Sequence, residues 1–425
     1  MDLRKRIVLR AQILLFMVFG ALGACMPREA PPEPPRGLPE VLTGSGGELQ
    51  LTRIQFSALA NWADAGANTG FVALSRSCVA ILAMAEDTPM GGAGYGGTAS
   101  DWRPICAAAA NISEGDTGAA RNFFETEFVP YIVMEGANDE GLFTGYFEPE
   151  LIGSTIRAGQ YQTPLYGFPD DLVTADLGLF QDSFMGQRLS GRLLGRRLVP
   201  YDTRAEITRN GLDQAEELLY VDNPVDAFFL AIQGSGRVRL EDGSVVRAAY
   251  AGQNGHPYTA IGAVLIREGE LTREEVSMQS IRAWLDANPN GAQALLDQNA
   301  SYIFFSIEPL DDPALGARGT EGVPLTAEAS LAVDPNAHPL GVPIWLETTV
   351  PVGGESDTLF HRLLIAQDTG GAINGALRGD IYWGVGEAAG EIAGRMRSTG
   401  KMRVFLPRII ADRIGKNFSS IEAAP

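Results

Sequence analysis

The chain has 425 residues and a formal net charge of −19, from 52 acidic and 33 basic side chains. That balance argues against nucleic acid as a partner and against an electrostatic grip on anionic lipid. The three histidines, His256, His338 and His361, lack zinc-ligand spacing, so neither a metal nor another cofactor is expected.

Arg4, Lys5, Arg6 and Arg10 surround the start of an apolar stretch, Ile13 to Leu22, that is too short to span a bilayer. It ends in Leu22-Gly23-Ala24-Cys25, the pattern of a bacterial lipobox, whose cysteine is acylated and becomes the first residue. Residues 1–24 are therefore expected to be a lipoprotein signal peptide, and Cys25 the lipidation site. Two or three acyl chains anchor stably where one is marginal. Met26, where an aspartate would favour inner-membrane retention, points to the periplasmic face of the outer membrane. A proline-rich tether occupies 25–45. Cys78 and Cys106 form either a disulfide, which an oxidising periplasm permits, or two buried thiols.

Helices are predicted over 50–64, 76–86 and 115–134. Ile54, Leu59 and Trp62, and then Phe123, Phe124, Phe128 and Ile132, recur there near helical spacing. A strand is predicted at Gly141–Glu148, broken by Pro149, with short strands following to residue 200. Thr203-Arg-Ala-Glu206 and Thr272-Arg-Glu-Glu275 are capping boxes that open helices. Asn223-Pro224 opens another, ending at Gly234. Strands are expected near 244–251 and 302–306, and a helix over 259–268. After a glycine- and proline-rich loop at 311–323, short strands follow at 328–333, 343–349, 361–367 and 402–406, with a helix over 387–396. Short strands with tight glycine turns point to a barrel.

Three aspartates stand beside apolar runs in the last hundred residues. They are Asp334 before Pro335, Asp368 in Gln-Asp-Thr-Gly-Gly, and Asp380 in Arg-Gly-Asp-Ile-Tyr. Carboxylates at strand ends, on backbone that lets a ligand approach closely, suit glycan cleavage.

Five motifs sharpen this reading: Phe143-Thr-Gly-Tyr-Phe-Glu-Pro149, Ala231-Ile-Gln-Gly-Ser-Gly236, Tyr250-Ala-Gly-Gln-Asn-Gly-His256, Ser330-Leu-Ala-Val-Asp334 and Ala366-Gln-Asp-Thr-Gly-Gly-Ala-Ile-Asn-Gly375. In them the chain resembles the membrane-bound lytic murein transglycosylase A family over roughly 120–410, and its last segment resembles the three-aspartate module. The resemblance implies a mainly β, α+β fold. A double-psi β-barrel domain is assembled from 46–149 and 310–418. A smaller β-rich domain, 150–309, is inserted between them, and a glycan groove separates the two. Peptidoglycan glycan strands are the implied substrate, the outer membrane is reached through the lipid anchor, and cell-wall synthases are candidate partners.

The resemblance also assigns residues. Asp380 matches the catalytic aspartate, and Asp368 and Asp334 are supporting. Asp368 is expected to bind N–H groups of its glycine-rich turn, and Asp334 to fix the barrel. Thr144, Tyr146, Gln233, Gly234 and Ser235 are expected to face the substrate. Trp383 fits sugar stacking or barrel core equally, and Glu148 before Pro149 fits a turn.

Cleaving a glycosidic bond needs a proton on the leaving oxygen, and most hydrolases add a second carboxylate. A lytic transglycosylase instead lets the muramic acid C6 hydroxyl attack its own C1. That tethering is worth up to roughly 7–11 kcal/mol, so one carboxyl serves as acid and then base. The acid must be neutral at working pH although free aspartate titrates near ~3.9, which requires a poorly solvated setting or a neighbouring carboxylate. Two rivals stand beside this reading: a two-carboxylate glycoside hydrolase using Asp380 and Asp368, and a non-catalytic, expansin-like wall-binding lipoprotein.

Overall fold

The computed structural model describes residues 41–43, 49–64, 66–184, 187–351 and 357–414. The expected signal peptide, the expected lipidation site Cys25 and most of the expected tether lie outside these residues.

Six strands close into a barrel. In order around it they are Arg397–Pro407, Pro343–Val350, Thr358–Thr369, Ser330–Val333, Arg378–Val385 and Gly141–Glu148, the last pairing back to the first. Ser330–Val333 runs parallel to Thr358–Thr369, and Arg378–Val385 runs parallel to Gly141–Glu148. The other barrel pairings are antiparallel. Closure removes the unpaired edges that an open sheet would present. This closed, mostly β architecture with flanking helices agrees with the expected fold class. Trp383 belongs to its core: it packs on Phe360 at 5.3 Å. Gly145 has no Cβ because one would lie 2.5 Å from Trp383 Nε1.

Two strands outside the barrel, Leu49–Arg53 and Phe128–Glu135, extend the sheet from Arg397–Pro407. They correct the helices expected over 50–64 and 115–134. The second of those helices exists only as Thr117–Glu127, capped by Asp116 accepting from Ala119 N. Phe128 ends it and begins a strand buried on both faces. In such a strand the apolar side chains follow one another without a period-2 alternation, so they do not separate strand from helix.

Helix Asn68–Ala83 lies against Thr358–Thr369, where a Cβ on Gly70 would come 2.7 Å from Leu363 O. Cys78 on this helix is bonded to Cys106 on helix Ala99–Ala109, with Cα atoms 5.4 Å apart. This decides between the two expected states of the pair. The bridge closes a loop with a sequence separation of 28. By loop-closure entropy it contributes roughly 3–4 kcal/mol. A Cys78→Ser/Cys106→Ser chain is therefore expected to unfold at distinctly lower denaturant concentration, and equal midpoints would refute this.

The chain between Glu148 and Pro309 builds a second six-stranded sheet. Its order is Ile303–Pro309, Val245–Gln253, Gly236–Leu240, Glu150–Ser154, Glu217–Val221 and Thr163–Tyr166. Leu151, Leu165, Val221, Leu230 and Val238 form its core against helix Pro224–Gln233. The Thr203 box opens helix Arg204–Asn210 as expected. The Thr272 box makes its bonds to Glu275, but the helix begins only at Met278, where Ser277 and Ser280 form their own box. This region is docked on the barrel. Met278 N donates to Gly394 O, and Gln279 Nε2 to Gly390 O, at the end of helix Gly386–Ala393.

Candidate active site

Alternation along Arg378–Val385 sorts the site. Gly379, Ile381 and Trp383 turn into the barrel core, and a Cβ on Gly379 would meet Leu331. Arg378, Asp380 and Tyr382 therefore line the other face. Asp380 is in register with Thr144 on one neighbouring strand and Ala332 on the other, and Tyr382 is in register with Tyr146. The two tyrosine rings lie 5.3 Å apart. The barrel thus brings Thr144, Tyr146, Asp380 and Tyr382 onto one patch.

Asp368 joins that patch from Thr358–Thr369. Its Oδ2 accepts from Tyr146 Oη at 2.9 Å. Its Oδ1 accepts from Thr320 N, Thr320 Oγ1 and Thr369 N, each at 2.9 Å. Burial raises the pKa of this carboxyl, and the four donors oppose the rise without cancelling it. Both oxygens are thus occupied by protein donors.

Asp380 is the opposite case. Its Oδ1 is sealed from solvent and has no hydrogen-bond partner among the described residues. The nearest cationic atom, Arg378 Nη2, stands 4.0 Å away, and 25% of the Asp380 side chain remains exposed. The acid is therefore reachable at one edge and desolvated at the other. Burial raises its pKa from 3.8 to about 6, the Arg378 charge opposes that rise, and the Asp368 charge adds to it.

Arg378 Nη1 donates to Leu142 O at 2.7 Å, which holds the guanidinium in place. Arg378→Gln is expected to remove the opposing charge and shift the Asp380 titration to higher pH. A carboxyl titration followed by NMR checks this, and an unchanged or lowered midpoint would count against the assigned sign.

Asp334, just past Ser330–Val333, is structural in its contacts. Oδ1 accepts from Asn336 N and Nδ2, and Oδ2 from Gly375 N at 2.7 Å. Asp368 thus binds the N–H of Thr369 at the start of the glycine-rich turn, and Asp334 ties down its end at Gly375. Gln233, at the end of its helix, accepts from Phe147 N at 3.1 Å through Oε1. Gly234 caps that helix with φ +83°. Ser235 is half-buried beside it. Tyr258 is 43% exposed; burial raises its pKa, the Arg204 charge opposes that rise, and the Asp380 charge adds to it. Among the described residues no cluster of His, Cys, Asp and Glu could hold a metal ion.

Two family models match this chain: the MltA specific insert domain over residues 142–306, and the 3D domain over residues 329–406. Membrane-bound lytic murein transglycosylase A of Escherichia coli K12 is 35% identical over 279 residues, covering 64% of this chain and 67% of that protein. Its Vibrio cholerae counterpart is 34% identical over 278 residues, covering 63% and 67%. The crystal structure of a membrane-bound lytic murein transglycosylase from Agrobacterium tumefaciens superposes with a TM-score of 0.75 at 31% identity, covering 85% of this chain and 99% of that one. The chain belongs to the membrane-bound lytic murein transglycosylase A family. Another similar structure is E. coli MltA with bound chitohexaose, at a TM-score of 0.55 and 30% identity, covering 72% of this chain and 84% of that one.

Two parts of this candidate site were not visible in the sequence. Thr320 clamps Asp368 from the glycine- and proline-rich loop, where no periodicity marks it. Glu148, read as a turn residue, is a buried ion-pair centre: Arg247 Nε lies 2.7 Å and Arg237 Nη2 3.7 Å from it, and Tyr382 Oη donates to it. Its only sequence signal is an acid closing an apolar strand.

Proposed function

We propose that this chain cleaves the MurNAc-β-1,4-GlcNAc bond of peptidoglycan and leaves 1,6-anhydroMurNAc ends, with Asp380 as its single acid and base. As a member of its family the chain is a peptidoglycan-cleaving lyase. The observation that carries the finer reading is the contrast between the two carboxyls. Burial raises the pKa of both, but Asp380 has an orphaned oxygen and an exposed edge, whereas both oxygens of Asp368 are engaged by protein donors.

The steps follow from that contrast. Neutral Asp380 donates its proton to the glycosidic oxygen, and the bond to C1 breaks with charge building on the muramic ring. The anion of Asp368, held by its four donors, stabilises that positive charge at short range. The C6 hydroxyl of the same sugar then attacks C1, and the Asp380 carboxylate takes its proton. No water is consumed, and Asp380 ends neutral as it began. The engagement of Asp368 disfavours its use as a nucleophile or base, which weighs against a two-carboxylate hydrolase.

On the same reading, 46–149 with 310–418 form the barrel domain and 150–309 the inserted domain, and glycan lies between them. Thr144 and Tyr146 border the acid. Gln233 has Oε1 committed to Phe147, and its amide N–H groups remain available for sugar hydroxyls or acetamido groups, flanked by Gly234 and Ser235. E. coli MltA binding chitohexaose supports a glycan ligand here. Acylation at Cys25 would hang the fold from the outer membrane into the periplasm, where cell-wall synthases are candidate partners.

Digestion of purified sacculi followed by mass analysis tests the reaction. Products lighter by one water, with anhydro ends, are expected. Reducing muramic acid ends would establish a hydrolase instead. Binding without release of muropeptides would establish a wall-binding lipoprotein.

A further inference from the structure

Strands Leu172–Asp176, Arg188–Leu194 and Arg197–Pro200 form a separate antiparallel sheet outside both the barrel sheet and the second, six-stranded sheet. Part of one face packs on the molecule. Leu172 is buried with Tyr166, Tyr201 and Phe304. Ser190 abuts Gly255, and Arg192 pairs with Asp202 at 2.6 Å.

The register fixes what the other face carries. Val173 stands opposite Gly191, Ala175 opposite Leu189, and Leu193 opposite Leu198. That face is therefore apolar at each of these positions and offers no side-chain donor or acceptor. Its residues are not covered: Leu193 is 62% exposed and Leu189 54%. The connection between the first two strands adds Leu179 at 85% and Phe180 at 79%. Among the described residues, 8 of the 18 exposed large hydrophobic side chains fall between Val173 and Leu198. An antiparallel sheet normally turns its apolar face inward and its polar face to water. Here the order is reversed, which marks an interaction surface.

The rim indicates the partner. Arg196 lies in the turn after Leu194, and Arg197, in register with Leu194, leaves the end of the hairpin on the opposite face; both are exposed and make no ion pair among the described residues. Protein–protein interfaces of useful size carry about one hydrogen bond per 100–200 Å², and the strand side chains of this face supply none. A phospholipid surface asks for the opposite: apolar side chains at acyl depth and guanidinium groups at headgroup phosphate level.

We propose that this three-stranded sheet is a membrane-docking face that lays the inserted region against a phospholipid bilayer. Since the chain as a whole is acidic, apolar insertion carries the attachment, and the two arginines pair with lipid phosphate. The face is independent of the catalytic reading and of how the N-terminus is held.

Hydrogen exchange of the full chain tests this, with and without vesicles of phosphatidylethanolamine and phosphatidylglycerol. Peptides covering 173–200 are expected to exchange at least tenfold more slowly with vesicles, while those covering 397–407 do not change. No slowing would overturn the proposal. So would equal slowing without lipid at high protein concentration, which would make the face a contact between copies of this chain. Leu179→Ser/Leu193→Ser and Arg196→Glu/Arg197→Glu alter exposed side chains, so the fold is expected to survive, with exchange at 397–407 as the control. Each double variant should lose most of the protection, and full protection in either would overturn the proposal.

Discussion

Replacing Asp380 by asparagine is expected to abolish glycan cleavage and, at the same time, to stabilise the protein at neutral pH. The amide keeps the shape of the acid but has no proton to give, and a positioned general acid typically contributes ~10²–10⁴-fold. Binding to sacculi should persist, since the neighbouring groups stay in place. The stability gain follows from the raised pKa. In the fold this carboxyl titrates at about 6, above its ordinary value of 3.8. The folded state therefore holds the proton more tightly than the unfolded chain does. Below pH ~4 both states are protonated and Asp380 costs nothing by ionisation. As the pH rises through the folded pKa, the burial of a charge is felt in full, about 3 kcal/mol at most. The Asp380→Asn variant avoids this cost. Thermal unfolding of both proteins at pH 4 and pH 7 measures it: the variant should melt higher at pH 7 and alike at pH 4. Equal melting at both, with activity retained, would remove Asp380 from the role of acid. The same titration sets the rate profile of the natural chain, whose turnover should fall as pH climbs above ~6 because the proton-bearing fraction disappears.

The parts of this molecule that local chemistry determines were legible in the sequence. The Thr203 box, the Asn223-Pro224 start and the Gly234 stop each act within one helical turn, and each appears where expected. The barrel strands after residue 328 were legible because glycine turns bracket them. Tertiary context decided the rest. Phe128 and Ile132 keep helical spacing, yet the pairing of Phe128–Glu135 with Arg397–Pro407 wins, since the strand is covered on both sides. Thr272 forms its cap bonds but no helix extends from them, because Met278 N is drawn to Gly394 on the barrel and Ser277 starts the helix instead. At the site, motif order singled out the aspartates, but not their division of labour. Whether a carboxyl is engaged or orphaned depends on donors far away in sequence. Thr320 reaches Asp368 across 48 residues, and Tyr146 across 222. No local pattern encodes those distances.

Glu148→Gln is expected to cause a large loss of stability, and to lower activity from a position that touches no substrate. Glu148 is 1% exposed and closes the strand that carries Thr144 and Tyr146. Its carboxylate takes Arg247 Nε at 2.7 Å and faces Arg237 at 3.7 Å, both arginines belonging to the second sheet. Arg237 also donates to Pro313 O and Leu315 O, and Arg247 to Leu315 O. Those carbonyls soften two buried cations but do not neutralise them. Removing the anion they share leaves uncompensated buried charge, which typically costs about 3–5 kcal/mol. Removing one of the two buried cations as well relieves part of that cost, so Glu148→Gln/Arg247→Met is expected to recover part of the loss. Denaturant unfolding of the two singles and the double, read as a cycle, measures the coupling. A Glu148→Gln midpoint equal to that of the parent would show that the carbonyls alone satisfy the arginines. The effect on activity has a geometric origin. Glu148 also receives Tyr382 Oη, and Tyr382 is two residues from Asp380 on the same strand. Loosening this anchor lets the second sheet move against the face that bears the acid, and displacements near 1 Å at a reacting centre can cost ~10²-fold in rate. Turnover should therefore fall with the Asp380 titration midpoint little changed, which separates a fault of positioning from a fault of protonation.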